Sequence, residues 1–88
     1  MKKILVISAI WCPSCLILKK QLKKINQDYP DIAIETLDYD LDENEVSKYN
    51  VGDKLPVIIY NDKRLIGEKS YEEITTFLKE CNLIWKKN

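Results

Sequence analysis

The sequence predicts an α/β fold: a parallel β-α-β unit, a short helix, and an antiparallel hairpin that leads into a last helix. Three observations carry that prediction. Two β-rich runs, Lys3–Ser8 and Ile32–Asp38, flank a stretch whose apolar residues recur at helical spacing. Two further β-rich runs, Pro56–Tyr60 and Arg64–Gly67, meet across Asn61-Asp62-Lys63, whose Asn and Asp suit a tight turn. Ser70, with Glu73 three residues on, forms a capping box ahead of a second apolar stripe.

Taken in order, Ile4-Leu5-Val6-Ile7 is an unbroken β-rich run with the length of a fully buried strand. The first helix starts near Cys12-Pro13, because proline at the first helical position gives up an N–H that has no partner there anyway. Cys15, Leu18, Leu22 and Ile25 share one face of it, and Lys19, Lys20, Lys23 and Lys24 lie mostly off that face. Asp28-Tyr29-Pro30-Asp31 stops the helix. The second strand puts Ile32, Ile34 and Thr36 on one side and Ala33, Glu35 and Leu37 on the other. A short helix over Glu43–Tyr49 follows Asp42, and in the last helix Ile74, Phe77, Leu78 and Cys81 again share a face. The β-α-β unit makes two parallel strands with a right-handed crossover, and the hairpin adds antiparallel ones.

Composition narrows the function. Eighty-eight residues suffice for a single domain spanning 1–88, with 14 basic and 14 acidic side chains and 45% apolar residues, a globular balance. With no His, mechanisms that need an imidazole base and His-ligated metals are excluded. Three Cys are too few for a disulfide-dense secreted scaffold. No apolar run approaches the roughly 20 residues of a membrane span. Met1-Lys2-Lys3 and the apolar stretch after it have the look of a secretion signal, yet Ile10 and Trp11 stand where a cleavage site needs small residues. The expectation is a chain that begins at Met1 and stays in the cytoplasm. Residues 1–27 carry six Lys and no acid, and 28–45 carry eight acids and no base. These read as two solvated faces of opposite sign. A nucleic-acid surface is disfavoured by zero net charge and by the lack of aromatic residues among the lysines.

The chemistry-bearing motif is Trp11-Cys12-Pro13-Ser14-Cys15, at the junction of a strand and a helix. Two intervening residues on a first helical turn let the sulfurs meet as a disulfide without unwinding the helix. Cys12, at the helix N-terminus, faces unpaired N–H groups and the positive end of the dipole, both of which favour thiolate, the nucleophile in exchange. Cys15 lies one turn inside, where it is more enclosed and can resolve a mixed disulfide. Identical side chains thereby acquire distinct roles. A zinc half-site is the competing reading, but with no His and only Cys81 in addition, one chain cannot supply four Cys/His ligands.

In this motif, and over nearly its whole length, the chain resembles the thioredoxin-like superfamily. Lys48-Tyr49-Asn50-Val51 and Leu55-Pro56-Val57 resemble that family's second-helix exit and its cis-proline loop; Asn61-Asp62-Lys63 and Gly67 resemble its hairpin turn and the glycine after the last strand. The resemblance implies a minimal, glutaredoxin-sized fold, β-α-β-α-β-β-α, with a four-stranded mixed sheet in the order 2-1-3-4. It implies a cis Pro56 packed beside the Cys12 sulfur, and a Leu55 backbone that pairs with a bound substrate strand. Catalysis would rest on Cys12 and Cys15, with Trp11, Pro13 and Leu55 as an apolar rim for substrate beside Pro56. No cofactor is implied beyond the redox-active Cys12–Cys15 disulfide.

One departure stands out. Full thioredoxins bury an Asp on the first strand and a Lys on the next, near the second Cys, and the matching positions here are Val6 and Thr36. Neither can act as a base, so the proton of Cys15 must leave by water, by another carboxylate, or with the departing thiolate. Lys54 reads as a solvated loop residue rather than a support for thiolate. The expected activity is reduction of protein disulfides by a cytoplasmic monomer that takes electrons from a thioredoxin-reductase-like donor and binds neither nucleic acid nor membrane. A glutathione-dependent glutaredoxin is the alternative, but its marks are missing or blurred at Ser8-Ala9-Ile10, Leu55-Pro56 and Gly67-Glu68-Lys69. A non-catalytic binding module, the third reading, is disfavoured by retention of both Cys and the proline.

Overall fold

Strand β1 (Lys3–Ser8) lies inside a four-stranded sheet, with β2 (Ala33–Asp38) parallel on one side of it and β3 (Val57–Tyr60) antiparallel on the other. Strand β4 (Lys63–Ile66) pairs antiparallel with β3, giving the order β2-β1-β3-β4. The helices are α1 (Pro13–Asp28), α2 (Glu43–Val46) and α3 (Tyr71–Glu80). This computed structural model describes residues 3–52 and 54–84. The architecture is the minimal thioredoxin fold that the resemblance implies. No described helix is long and apolar enough to cross a membrane.

Two layers of core sandwich the sheet, and strand alternation decides which residue joins which. Ile4 and Val6 of β1 and Ile58 of β3 pack with Leu18, Leu22 and Ile25 of α1 and Ile74, Phe77 and Leu78 of α3. Ile7, Val57 and Ile59 turn to the opposite face and meet Val46 of α2. The central strands are therefore apolar on both sides, which is why β1 reads as a continuous hydrophobic run. Both structural signals for α3 are present: the Ser70 hydroxyl accepts the Glu73 N–H, and the Glu73 carboxylate accepts the Ser70 N–H. The second bond holds the Glu73 carboxyl below its ordinary range. At the far end of α1, the Tyr71 hydroxyl donates to Asp28, and Lys24 sits 4.4 Å above the Tyr71 ring. The Asp28 carboxylate, with burial second, pushes the Tyr71 hydroxyl up to about 12.

Several boundaries differ from expectation. The helix over 43–49 divides into α2 and a 3₁₀ turn, Ser47–Tyr49, which ends on Asn50 in the left-handed region at φ 52°. In the hairpin Tyr60 pairs with Lys63, so the turn has two residues and Lys63 belongs to β4; Asn61 supplies the positive φ of 53° that so tight a connection needs. Pro56, which has no N–H for the ladder, precedes β3, and Ile32 is buried just ahead of β2. Gly67 has φ 90°, a value strained for any residue with a Cβ, and its N–H donates to the Pro56 carbonyl at 2.8 Å.

Cys81 is buried beside Phe77 and Leu78 in the α1/α3 core, and burial pushes its thiol above the ordinary range. Native-state labelling of Cys81 should therefore be far slower than labelling in denaturant; equal rates would contradict its placement. Leu78→Ala should destabilise the protein by about 2–5 kcal/mol in urea unfolding. Leu41→Ala, at an exposed position, should stay within about 0.5 kcal/mol.

Candidate functional site

The site grows from the way α1 begins. Cys12 is its N-cap, in extended conformation at φ −98° and ψ 110°, and its Sγ accepts the backbone N–H of Cys15 at 3.2 Å. A sulfur thus takes the place of the hydroxyl or carboxylate usual at this position. Pro13 follows as the first helical residue. Both Cys12 and Cys15 are free thiols and pack with Ala9, bordered by Tyr39 and Leu55.

Sequence reasoning expects Cys12 to be the more exposed thiol, and that expectation is corrected here: each has only 6% of its surface accessible. Their environments differ in another way. Burial, followed by the hydrogen bond to Cys12, pushes the Cys15 thiol up to about 11 from its ordinary 9.0. The Cys12 Sγ lies 3.8 Å from the Leu55 carbonyl, a long contact, and the Leu55–Pro56 peptide beside it is cis. Leu55 is half-buried and Pro56 buried, while Pro13 and Trp11 are exposed, Trp11 by 60%. Lys54 is exposed and makes no hydrogen bond or ion pair with Cys12 among the described residues.

The acidic turn after β2 is the part that sequence reading does not assign to the site. Trp11 Nε1–H donates to Asp40 Oδ2 at 2.6 Å, and the Trp11 ring stands edge-on to Tyr39, with centroids 6.3 Å apart and planes at 89°. Asp38 organises the turn: its Oδ1 accepts the N–H groups of Asp40 and Leu41, each at 2.9 Å, and its own N–H donates to Asp42 Oδ2 at 2.8 Å. A signal for this was available in the topology. Because β1 and β2 are parallel, the residues that follow each emerge at the same sheet end. Val6 and Thr36 pair across these strands; Val6 is buried and Thr36 exposed.

A sheet of order 2-1-3-4 with two neighbouring thiols at the head of its first helix defines a thioredoxin-like protein. Residues 1–86 match the family model described as Thioredoxin, and the chain belongs to that family. Solved structures agree on the fold. Thioredoxin-2, described as a component of malaria parasite protein secretion machinery, aligns with a TM-score of 0.80 at 24% identity, over 89% of this chain and 81% of that one. Mitochondrial thioredoxin 3 from Saccharomyces cerevisiae gives 0.75 at 22%, over 89% and 76%. Thioredoxin O1 from Arabidopsis thaliana gives 0.74 at 18%, over 89% and 75%. No curated protein sequence matches the chain.

The two thiols should separate on alkylation. Cys12 should react first near neutral pH, and Cys15 should gain reactivity only as pH climbs towards about 11; equal rates at neutral pH would contradict this. Stability carries the same signature. The unfolded chain releases the Cys15 proton near 9.0 and the folded one near 11, so between these values the folded state binds more protons and stability falls as pH rises. Urea unfolding of the reduced protein should show that fall, and Cys15→Ser should lessen it.

Proposed function

We propose that the protein is a thiol–disulfide oxidoreductase that reduces protein disulfides. Membership of the thioredoxin family supports a redox role. The observation that carries the finer reading is the Cys12 sulfur, held at the start of α1 by the Cys15 N–H and next to the Leu55–Pro56 loop. As thiolate, Cys12 attacks one sulfur of the substrate disulfide, forming a mixed disulfide and releasing a substrate thiolate. Cys15 then gives up its proton and attacks Cys12. The Cys12–Cys15 bond forms, the bond to substrate breaks, and two electrons have passed to the substrate. No bound cofactor enters, because the pair of sulfurs holds the electrons.

The substrate class follows from the surroundings. Trp11 and Pro13, both exposed, and the half-buried Leu55 offer an apolar rim. The backbone of Leu55, ahead of Pro56, offers a polar edge on which an extended polypeptide can add as a strand. Such a surface suits a polypeptide better than a small charged thiol. Regeneration falls to a thioredoxin-reductase-like donor rather than to glutathione. The reading sets the protein in the cytoplasm as a monomer, where a dithiol is continually reduced.

A turnover assay on a model protein disulfide, with reductase and glutathione supplied in separate reactions, tests this. Turnover is expected with reductase; turnover with glutathione alone would make the protein a glutaredoxin, and none with either would leave a binding module. Cys15→Ser should accumulate a stable mixed disulfide through Cys12, and a trapped adduct on Cys15 in Cys12→Ser would reverse the roles. A reduction potential near roughly −270 mV is expected, and one near roughly −120 mV would mark an oxidant instead.

A further inference from the structure

We infer that Asp38 receives the proton of Cys15 during resolution, through water in a cavity that both residues line, with Lys19 as the balancing cation. The inference rests on the role of Cys15 proposed above. A cavity of about 310 Å³ lies between α1 and the β2 edge of the sheet, and Val6, Cys15, Lys19, Leu22, Thr36 and Asp38 are among its walls. At about 30 Å³ per molecule it has room for several waters.

The chemistry of the wall is sparse. Cys15, Lys19 and Asp38 are its only ionisable groups among the described residues. Asp38 is suited to accept a proton, because its two turn hydrogen bonds both fall on Oδ1 and Oδ2 has no hydrogen-bond partner among the described residues. The other titratable groups nearby are committed elsewhere or stand off the cavity. Asp42 accepts the Asp38 N–H, Asp40 accepts the Trp11 indole, Tyr39 packs on Trp11, and Cys12 is the sulfur under attack. Cys15 needs such help, since its buried thiol is held protonated at neutral pH.

The step balances within the chain and its substrate. The Cys15 S–H bond breaks, its proton passes along water to Asp38 Oδ2, and the Cys15 sulfur bonds to Cys12 as the Cys12–substrate bond breaks. The electron pair leaves on the substrate sulfur. Asp38 then returns the proton to solvent. Negative charge passes from Asp38 to the departing substrate sulfur during the step, and the Lys19 ammonium on the same cavity balances the Asp38 carboxylate before it.

The test uses Asp38→Asn, whose remaining oxygen can still accept the turn N–H groups while no longer taking a proton, in a Cys81→Ala background. One equivalent of 5,5′-dithiobis(2-nitrobenzoate) gives two releases of thionitrobenzoate: the first reports attack by Cys12, the second attack by Cys15. The first phase should be unchanged. The second should slow by roughly 10²-fold at neutral pH, the lower end of what a positioned base contributes. It should also become proportional to hydroxide, where the parent varies little with pH. An unchanged second phase with the parent's pH profile overturns the assignment. Should Asp38→Asn fail to fold, the parent decides by itself: the second phase must slow in deuterated water, and no slowing also overturns it. Failure to turn over protein disulfides, with both phases intact, would instead sink only the proposed substrate class.

Discussion

The hydrogen bond from the Cys15 N–H to the Cys12 sulfur is the interaction on which the site turns. It caps α1, satisfying one of the four N–H groups that any helix leaves unpaired at its start. It also sets the Cys12 sulfur at the positive end of the helix dipole. One atom serves as structural cap and as candidate nucleophile, so anything that bonds to Cys12 must share its position with a backbone donor. Pro13 reinforces the arrangement by fixing φ at the first turn, where its missing N–H leaves no gap.

Sheet topology determines what gathers around that cap. Parallel pairing of β1 and β2 brings Ala9–Cys12 and Asp38–Asp42 to the same end of the sheet. Antiparallel pairing of β3 with β1 sets Val57 opposite Ile7, so the Leu55–Pro56 loop arrives at that end as well. Three segments distant in sequence converge there because of strand direction alone. The apolar alternation of β1 and β3 then anchors the convergence, with α1 and α3 clamping one face and α2 the other.

Local rules made much of this legible. The stripe Cys15, Leu18, Leu22 and Ile25 is buried as its spacing requires, and Ser70 with Glu73 forms the full capping box. Such signals lie within a turn or two of chain, where geometry leaves few choices. The Trp11–Asp40 bond spans 29 residues and had no local signal; Asp40 read only as one acid in a charged run. The equal burial of Cys12 and Cys15 was equally hidden, because the cover over Cys12 comes from Tyr39 and Leu55, on other segments. The split of the 43–49 helix reflects competition that propensity does not resolve, a 3₁₀ turn tightening the chain before the left-handed Asn50.

The edge position of β2 has a consequence for how two equally buried thiols come to differ. A strand flanked on both sides, as β1 is, hides its side chains: Ile4, Val6 and Ile7 are nearly inaccessible. Strand β2 has a neighbour on one side only, and Thr36 is exposed although its partner Val6 is buried. The cavity against α1 opens at that edge, and Cys15 lines it while Cys12 does not. Cys12 instead faces the Leu55 carbonyl and the Cys15 N–H. Burial pushes the Cys15 thiol up. The flank of that edge strand gives Cys15, and not Cys12, a cavity wall shared with Thr36 and Asp38. A four-stranded sheet can thus separate two cysteines by what each one faces, with no difference in how deeply they lie.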